Sequence, residues 1–411
     1  MSERVFLTGA SLVLPDRIAT GRTLVIDNGR IIDIAEQPAA AGPNDIRFEL
    51  PGHFIVPAFV DVHVHGVEGH DSLDSADALA AIAEALPRYG VSSFCPTTVA
   101  CSPDELRGFF RAVGELRVKR RPIAARVLGA HVESNFLNPE YNGAQPAGCL
   151  RVPADAHRVP AGAEGDFSAA DILAVLEQYR PDLGILTLAP ELPGAIDLTR
   201  ALSAAGVRVS MGHSAATSEQ ADEAIAAGAC HATHLFNRMP PMTHREPGLA
   251  GAVLASDAVA AEIIADGHHV HPAFIRMAIA AKGSSRVMAI SDGTAGSGLA
   301  VGARAKLGGR TITVGDIARL DDGTAAGSVA TLDGVFRYLV GRCGVDICDA
   351  AHMCATTPAR ELGLRGHGAI VPGNAADLAV LDSRLAVVQT WIGGVLAWCG
   401  TSDKLDPSTS A

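Results

Sequence analysis

Histidine and carboxylate side chains recur at the ends of apolar runs in this sequence. Such groups are the ordinary ligands of zinc-class divalent metals. His63-Val64-His65 closes the apolar run 55–62. In a strand, residues i and i+2 point the same way, so both imidazoles can face one end of a sheet. An HxH pair alone is a weak signal; its place after an apolar run and before Gly66 strengthens it. Glu133 follows Leu128-Gly129-Ala130-His131-Val132, again at a run's end. A carboxylate there can ligate a metal, or it can cap a helix or pair with a cation. His131 shares its face and is placed to support a ligand. His213 and His234 each close a further run, and turn-forming residues follow. A single histidine so placed is ordinarily a core residue; several at equivalent places point to a shared site. His231 is three residues before His234 and points elsewhere. Asp292, in Ile290-Ser291-Asp292-Gly293, is placed to take a proton from a metal-activated water and return it to a leaving amine. Its alternative is an N-cap. The glycine-rich run 293–298 resembles a phosphate cradle in composition only.

Chemistry at strand ends requires elements that bring those ends together. Apolar, β-rich runs at 55–62, 92–96, 126–132, 185–188, 208–211, 229–234, 261–265 and 286–290 alternate with helical stretches such as 75–89, 168–178, 218–227 and 271–281. Strand followed by helix, about eight times, predicts parallel strands with crossover helices. The expected fold is a (β/α)8 barrel over 57–364, whose active site lies at the C-terminal ends of its strands. Residues 1–56 and 365–400 are rich in short strands, with Asp27-Asn28-Gly29 as a tight-turn signal. They are expected to pair into a small β-sandwich domain. The tail from Gly400 is expected to fray.

The chain has 411 residues, 48% hydrophobic, 19% charged and only 4% aromatic. That suits a large α/β core with close helix–strand packing. The formal charge is -12, and the densest basic run is Lys119-Arg120-Arg121. Nucleic acid is therefore not an expected partner, since its backbone demands a basic face. No apolar stretch is long enough to span a membrane. No apolar segment follows Met1-Ser2-Glu3-Arg4, and the eight cysteines form no CxxC pair. These features predict a cytoplasmic protein with reduced thiols.

The segments Pro57–Gly66, Gly212-His213-Ser214-Ala215-Ala216-Thr217, Thr233-His234-Leu235-Phe236-Asn237-Arg238-Met239, Arg245-Glu246-Pro247-Gly248-Leu249, 263–270, Ser291-Asp292-Gly293 and 372–377 occur in an order that resembles the N-acetylglucosamine-6-phosphate deacetylases of the amidohydrolase superfamily. They span about four-fifths of the chain, and they are specific only together. The resemblance implies Glu133, His213 and His234 as the main metal ligands. It implies His63 and His65 as the pair that some members use for a second metal, so that one or two divalent ions, Zn2+ by expectation, bind per subunit. Asp292 is implied as the catalytic acid/base, and His269 as the histidine that contacts the sugar and polarises the amide carbonyl. Asn237 and Arg245 are implied as phosphate-binding residues, with Arg245 reaching in from the neighbouring subunit of a homodimer.

The sequence departs from that pattern at the substrate-facing loop. Ser134-Asn135 stand where the family usually has Gly-Pro, and Gln145 where it usually has His. The resemblance thus implies intact metal chemistry but leaves the sugar and acyl group open. The expected reaction is deacetylation of a small molecule, N-acetylglucosamine 6-phosphate, to glucosamine 6-phosphate and acetate. A different N-acylated amino sugar or related amide is the alternative on the same scaffold. Cyclic-amide relatives are disfavoured, because Glu133 stands where they carry a carboxylated lysine. A non-catalytic sugar-phosphate sensor is disfavoured by the full ligand set.

Overall fold

The computed structural model describes residues 4–36, 42–160 and 162–400. Eight parallel strands stand in chain order: Phe59–Val64, Val91–Thr98, Ala130–Glu133, Leu183–Leu188, Arg208–Met211, His231–Ala232, Ala260–Ile264 and Val287–Ile290. Each pairs in parallel with the next. The first and eighth meet through a parallel bridge between Val64 and Gly293. There His65 N donates to Gly293 O at 2.8 Å, and Asp292 N donates to His63 O at 3.0 Å. A helix follows every strand, from Ala76–Ala85 after the first to Leu332–Gly341 after the eighth. The fold is the expected (β/α)8 barrel with a small β-sandwich built from both chain ends. The tail expected to fray lies mostly in residues 401–411, outside the described residues.

Two of the apolar runs break where local chemistry forbids a continuous strand. Run 55–62 divides at Ala58: Phe54–Pro57 joins the terminal sheet and Phe59–Val64 joins the barrel. The Ala58 amide leaves both ladders and donates to Asp377 O at 3.0 Å. Run 126–132 divides at Leu128-Gly129 into Arg126–Val127 and Ala130–Glu133. Gly129 faces Gly184 so closely that a Cβ there would lie 2.8 Å from the Gly184 Cα. Only a glycine allows strands three and four to approach in this way.

The terminal segments form two sheets. Arg30–Ala35, Thr23–Asp27, Val5–Thr8 and Ile46–Glu49 make the four-stranded one. In the six-stranded one, Leu378–Leu381 from the C-terminal side lies antiparallel to Phe54–Pro57 from the N-terminal side. Leu24, Ile26, Ile55, Leu378 and Trp391 are buried between the sheets, where Phe48 meets Trp391 edge-on at 5.1 Å. Asn28 and Gly29 take φ of 47° and 75°, the left-handed pair that a two-residue hairpin requires. An element the sequence reading did not anticipate follows the eighth strand. Arg304–Leu307, Arg310–Val314 and Ala318–Leu320 form a small antiparallel sheet.

Asp377 ties the terminal sheets to the barrel. Its carboxylate accepts both guanidinium nitrogens of Arg126, at 2.7 and 2.8 Å, and the Gly393 amide at 2.7 Å; His367 Nδ1 lies 2.7 Å away. Burial pushes this carboxyl up, but His367 and Arg126 outweigh it and hold it at about 2. Asp377→Asn should lower stability by about 3 kcal/mol, the scale for breaking a buried ion pair. A depressed carboxyl contributes stability above its ordinary pKa and loses it as pH falls through the folded value. The gap between parent and variant in thermal melts should therefore close from about pH 4 to about pH 2. A gap that stays constant across that window would refute the charge-based account.

Candidate active site

Three site residues adopt left-handed backbone conformations that non-glycine residues rarely take: His213 (φ 48°), His234 (φ 30°) and Asp292 (φ 46°). Each stands just beyond a barrel strand. Such conformations cost on the order of 1 kcal/mol or more and persist where the surroundings over-determine them. Here those surroundings are visible. His213 Nδ1 lies 2.8 Å from Tyr141 O, and the Asp292 amide is fixed to the first strand. Leu235 N donates to Glu262 O at 2.8 Å directly after His234. Gly212 supplies the space for His213, since a Cβ there would come 2.8 Å from the Thr233 Cβ.

These turns aim the side chains at one point. Glu133 Oε1 lies 2.9 Å from His213 Nε2 and 3.0 Å from His234 Nε2, and those nitrogens are 3.1 Å apart. A second group adjoins the first through the same carboxylate. His63 Nε2 and His65 Nε2 are 3.3 Å apart, and Glu133 Oε2 is 3.5 Å from the latter. Asp292 Oδ1 sits 3.4 Å from His63 Nε2 and 3.3 Å from His65 Nε2. All six side chains are buried. Two imidazole nitrogens and a carboxylate oxygen in each group, within 4.8 Å of one another, form a donor set that suits a divalent ion. The residues present fit a metal at either place.

Electrostatics agree with that donor set. Burial pushes Glu133 up, yet His213, His234 and His63 hold its carboxyl well below the usual range. Asp292 is likewise held at about 2 by His63, His65 and His234, against burial. His234 is raised to about 9 because Glu133 outweighs burial, whereas burial wins at His63 and lowers it to about 4. A bound cation would take the place of the protons that these carboxylates otherwise attract.

Beneath the cluster lies a polar floor. His131 Nδ1 is 2.9 Å from Val62 O and its Nε2 is 2.8 Å from Thr187 Oγ1; Thr187, Thr233 and Ser210 continue the chain of hydroxyls. His231 stands apart, 3.6 Å from Glu361. Above the cluster opens a cavity of about 450 Å³. Its walls include Val99, Gln145, Phe236, Asn237, Ile264, His269 and Leu307, the last from the inserted sheet.

Residues 54–397 match the amidohydrolase family. The N-acetylglucosamine-6-phosphate deacetylase of Bacillus subtilis is 30% identical over 408 residues, 97% of this chain and 98% of its own. The chain belongs to the N-acetylglucosamine-6-phosphate deacetylase family of the amidohydrolases. The N-acetylgalactosamine-6-phosphate deacetylase of Escherichia coli O157:H7 is 36% identical over 351 residues, 85% of this chain and 89% of that one. Among solved structures, a mutant Mycobacterium smegmatis N-acetyl-D-glucosamine-6-phosphate deacetylase in complex with N-acetyl-D-glucosamine-6-phosphate superposes with a TM-score of 0.85 at 30% identity. It covers 96% of this chain and 99% of its own. Like other amidohydrolases of this family, the chain is a hydrolase acting on an amide.

Against this deacetylase background, the positions singled out in the sequence fall into different places. Gln145 lines the cavity; its Nε2 donates to Glu133 Oε2, and its Oε1 accepts from Ala100 N at 2.7 Å. Ser134 and Asn135, expected at the substrate, do not line this cavity. Ser134 Oγ donates to Thr187 O at 2.6 Å, and Asn135 Nδ2 donates to Cys101 O and Cys149 O at 2.8 and 2.7 Å. They fasten the loop that carries Gln145. His269 lines the cavity with its Nδ1 2.6 Å from Asp266 Oδ2, and Asn237 lines it beside His234. Arg245 is exposed and does not line the cavity of its own chain. The glycine-rich run 293–298 is no open cradle: it is largely buried, and Thr294 N is spent on Ser328 O.

Two residues escaped the sequence reading. Arg238, four positions after His234, also lines the cavity. Glu262 is fully buried with its Oε2 2.9 Å from His63 Nδ1. A charge inside the apolar run Ala260-Ala261-Glu262-Ile263-Ile264 was its available signal.

No helix among the described residues is long and apolar enough to cross a membrane.

Proposed function

We propose that the chain removes the acetyl group from an N-acetyl amino sugar 6-phosphate, foremost N-acetylglucosamine 6-phosphate, releasing acetate and glucosamine 6-phosphate. The observation that carries this reading is the Asp292 carboxylate, 3.4 Å from His63 Nε2 and 3.3 Å from His65 Nε2 at the floor of a cavity that Glu133, His213 and His234 also line. In this reading Glu133, His213 and His234 hold a first Zn2+, and His63 and His65 hold a second. A divalent ion bound there supplies Lewis acidity and lowers the pKa of water. Asp292 takes the proton of the attacking water and delivers it to the departing amine nitrogen. His269, oriented through Nδ1 by Asp266, presents Nε2 to the amide oxygen. Burial works against the charged form of His269, but Asp266 outweighs it and raises the pKa, which favours the form that can donate from Nε2. Asn237 and Arg238 face the same cavity and suit a phosphate. The working protein is a cytoplasmic homodimer in which Arg245 enters the neighbour's site. Its exposure in the single chain supports that role.

A second reading replaces glucose by galactose stereochemistry. It is supported by the 36% identity to the galactosamine relative and by Gln145 at the cavity wall. Acetate release from both 6-phosphates and from the unphosphorylated sugars separates the readings. Turnover of neither phosphate would refute the assignment, and preference for the galactosamine compound would select the second reading.

The phosphate role predicts an uneven response to mutation. Arg245→Ala should raise KM strongly for the phosphorylated sugar and little for the free one, a loss of about 2–5 kcal/mol for a buried, charge-paired contact. If Arg245 acts across subunits, mixing Arg245→Ala and Asp292→Asn chains should recover turnover of the phosphorylated sugar at a concentration far below the KM of Arg245→Ala, because one hybrid site carries both intact residues. Equal KM effects on both sugars would eliminate the phosphate contact. Absence of recovery after verified subunit exchange would eliminate sharing.

A further inference from the structure

Two buried carboxylates beneath the cluster take no part in the reaction proposed above. Asp61 is accounted for, because it accepts hydrogen bonds from the Ser291 hydroxyl and from the amides of His63 and Ser291. Glu262 is accounted for only in part: its Oε2 accepts the His234 amide at 3.4 Å. Its side chain is fully buried, its Oε2 lies 2.9 Å from His63 Nδ1, and among the described residues its Oε1 has no hydrogen-bond partner. Burying a carboxylate costs several kcal/mol unless partners repay it, and an apolar side chain would fill the same place more cheaply.

The strand explains where this carboxylate points. Residues two apart share a face, so Glu262 lies one layer below Ile264, which lines the cavity. From that layer it meets the far side of the His63 ring. His63 Nε2, on the near side, faces His65, Asp292 and Glu133. A carboxylate that accepts the Nδ1 proton fixes both the tautomer and the plane of the ring, and it leaves the Nε2 lone pair turned into the cluster.

A third metal site made of His63, His131 and Glu262 is the competing reading, since their donor atoms also lie within 4.8 Å. It fails on His131. Both of its ring nitrogens are already engaged, one with Val62 O and one with Thr187 Oγ1.

We infer that Glu262 is a positioning residue that orients His63 for a second cation. The inference rests on the two-ion reading of the site. Zn2+ titration of the metal-free protein against a competing chelator tests it without reference to turnover. The parent should take two ions per chain. Glu262→Leu should weaken the second by about 100-fold and the first far less, the smaller loss coming from the His234 amide that leucine leaves without its acceptor. Glu262→Gln keeps an acceptor but loses the charge, so it should weaken the second ion by about tenfold. In a His63→Ala background, Glu262→Gln should leave the remaining ion unchanged, because the glutamine oxygen can still accept the His234 amide and the lost charge acts through His63. Should Glu262→Leu melt below the working temperature, the Gln variant and that background carry the test. A parent that binds a single ion overturns the two-ion reading and this role with it. A parent with two ions, and a Gln variant that binds both at parental affinity or weakens both equally, overturns the role of Glu262 alone.

Discussion

Asp292→Asn should retain the ion held by Glu133, His213 and His234 and lose roughly 10²–10⁴-fold in kcat, the scale of a lost general acid/base. The substitution isolates proton transfer better than most. Asparagine matches aspartate in size, and it is among the few residues that tolerate a left-handed backbone, so φ of 46° at this position adds little strain. The change also leaves the Asp292 amide in its hydrogen bond to His63 O, which joins the first and eighth strands. What disappears is a carboxylate that the imidazoles of His63, His65 and His234 keep ionised despite burial. An amide cannot accept the water's proton or return it to nitrogen. Turnover near the parental rate, with metal analysis showing the first ion in place, would remove Asp292 from the mechanism.

The barrel was legible because its signal is repetitive. Runs at 208–211 and 286–290 correspond closely to Arg208–Met211 and Val287–Ile290, and the helix Ser218–Ala227 coincides with the pattern that announced it. Strand ends carrying His63, Glu133, His213, His234 and Asp292 were legible for the same reason: polar side chains stand out where apolar runs stop. Residues that work through a partner were not legible. Nothing in Ala260-Ala261-Glu262 says that the carboxylate meets a ring almost two hundred positions earlier. Ser134 and Asn135 misled for a related reason. The family resemblance put them on the substrate-facing loop, but backbone carbonyls of Thr187, Cys101 and Cys149 draw both side chains into the wall. The small sheet at 304–320 is made of short, half-exposed strands whose sequence carries little periodic signal.

Glu133→Gln should cost more metal affinity than its loss of one charge suggests. Each carboxylate oxygen has its own task. Oε1 faces His213 and His234, and Oε2 accepts from Gln145, whose position is set in turn by the Ala100 amide. A glutamine offers one acceptor oxygen and one NH2 group. If its oxygen faces the histidines, its NH2 meets the Gln145 NH2, donor against donor. If it flips, a donor is aimed at the metal position. Either arrangement leaves a buried polar group badly paired, at about 1–3 kcal/mol, in addition to the missing anionic ligand. Affinity for the first ion should therefore fall by more than the roughly 100-fold that loss of an outer partner costs. A second measurement follows from mass action, since a ligand that binds only the folded state raises its stability. Added Zn2+ should raise the melting temperature of the parent, and should raise that of Glu133→Gln far less at the same free concentration. The variant should also emerge from dialysis with its first site depleted. Unchanged occupancy together with an unchanged zinc response would mean that the ion is held elsewhere, and that the convergence of Glu133, His213 and His234 is a hydrogen-bonded cluster without a metal.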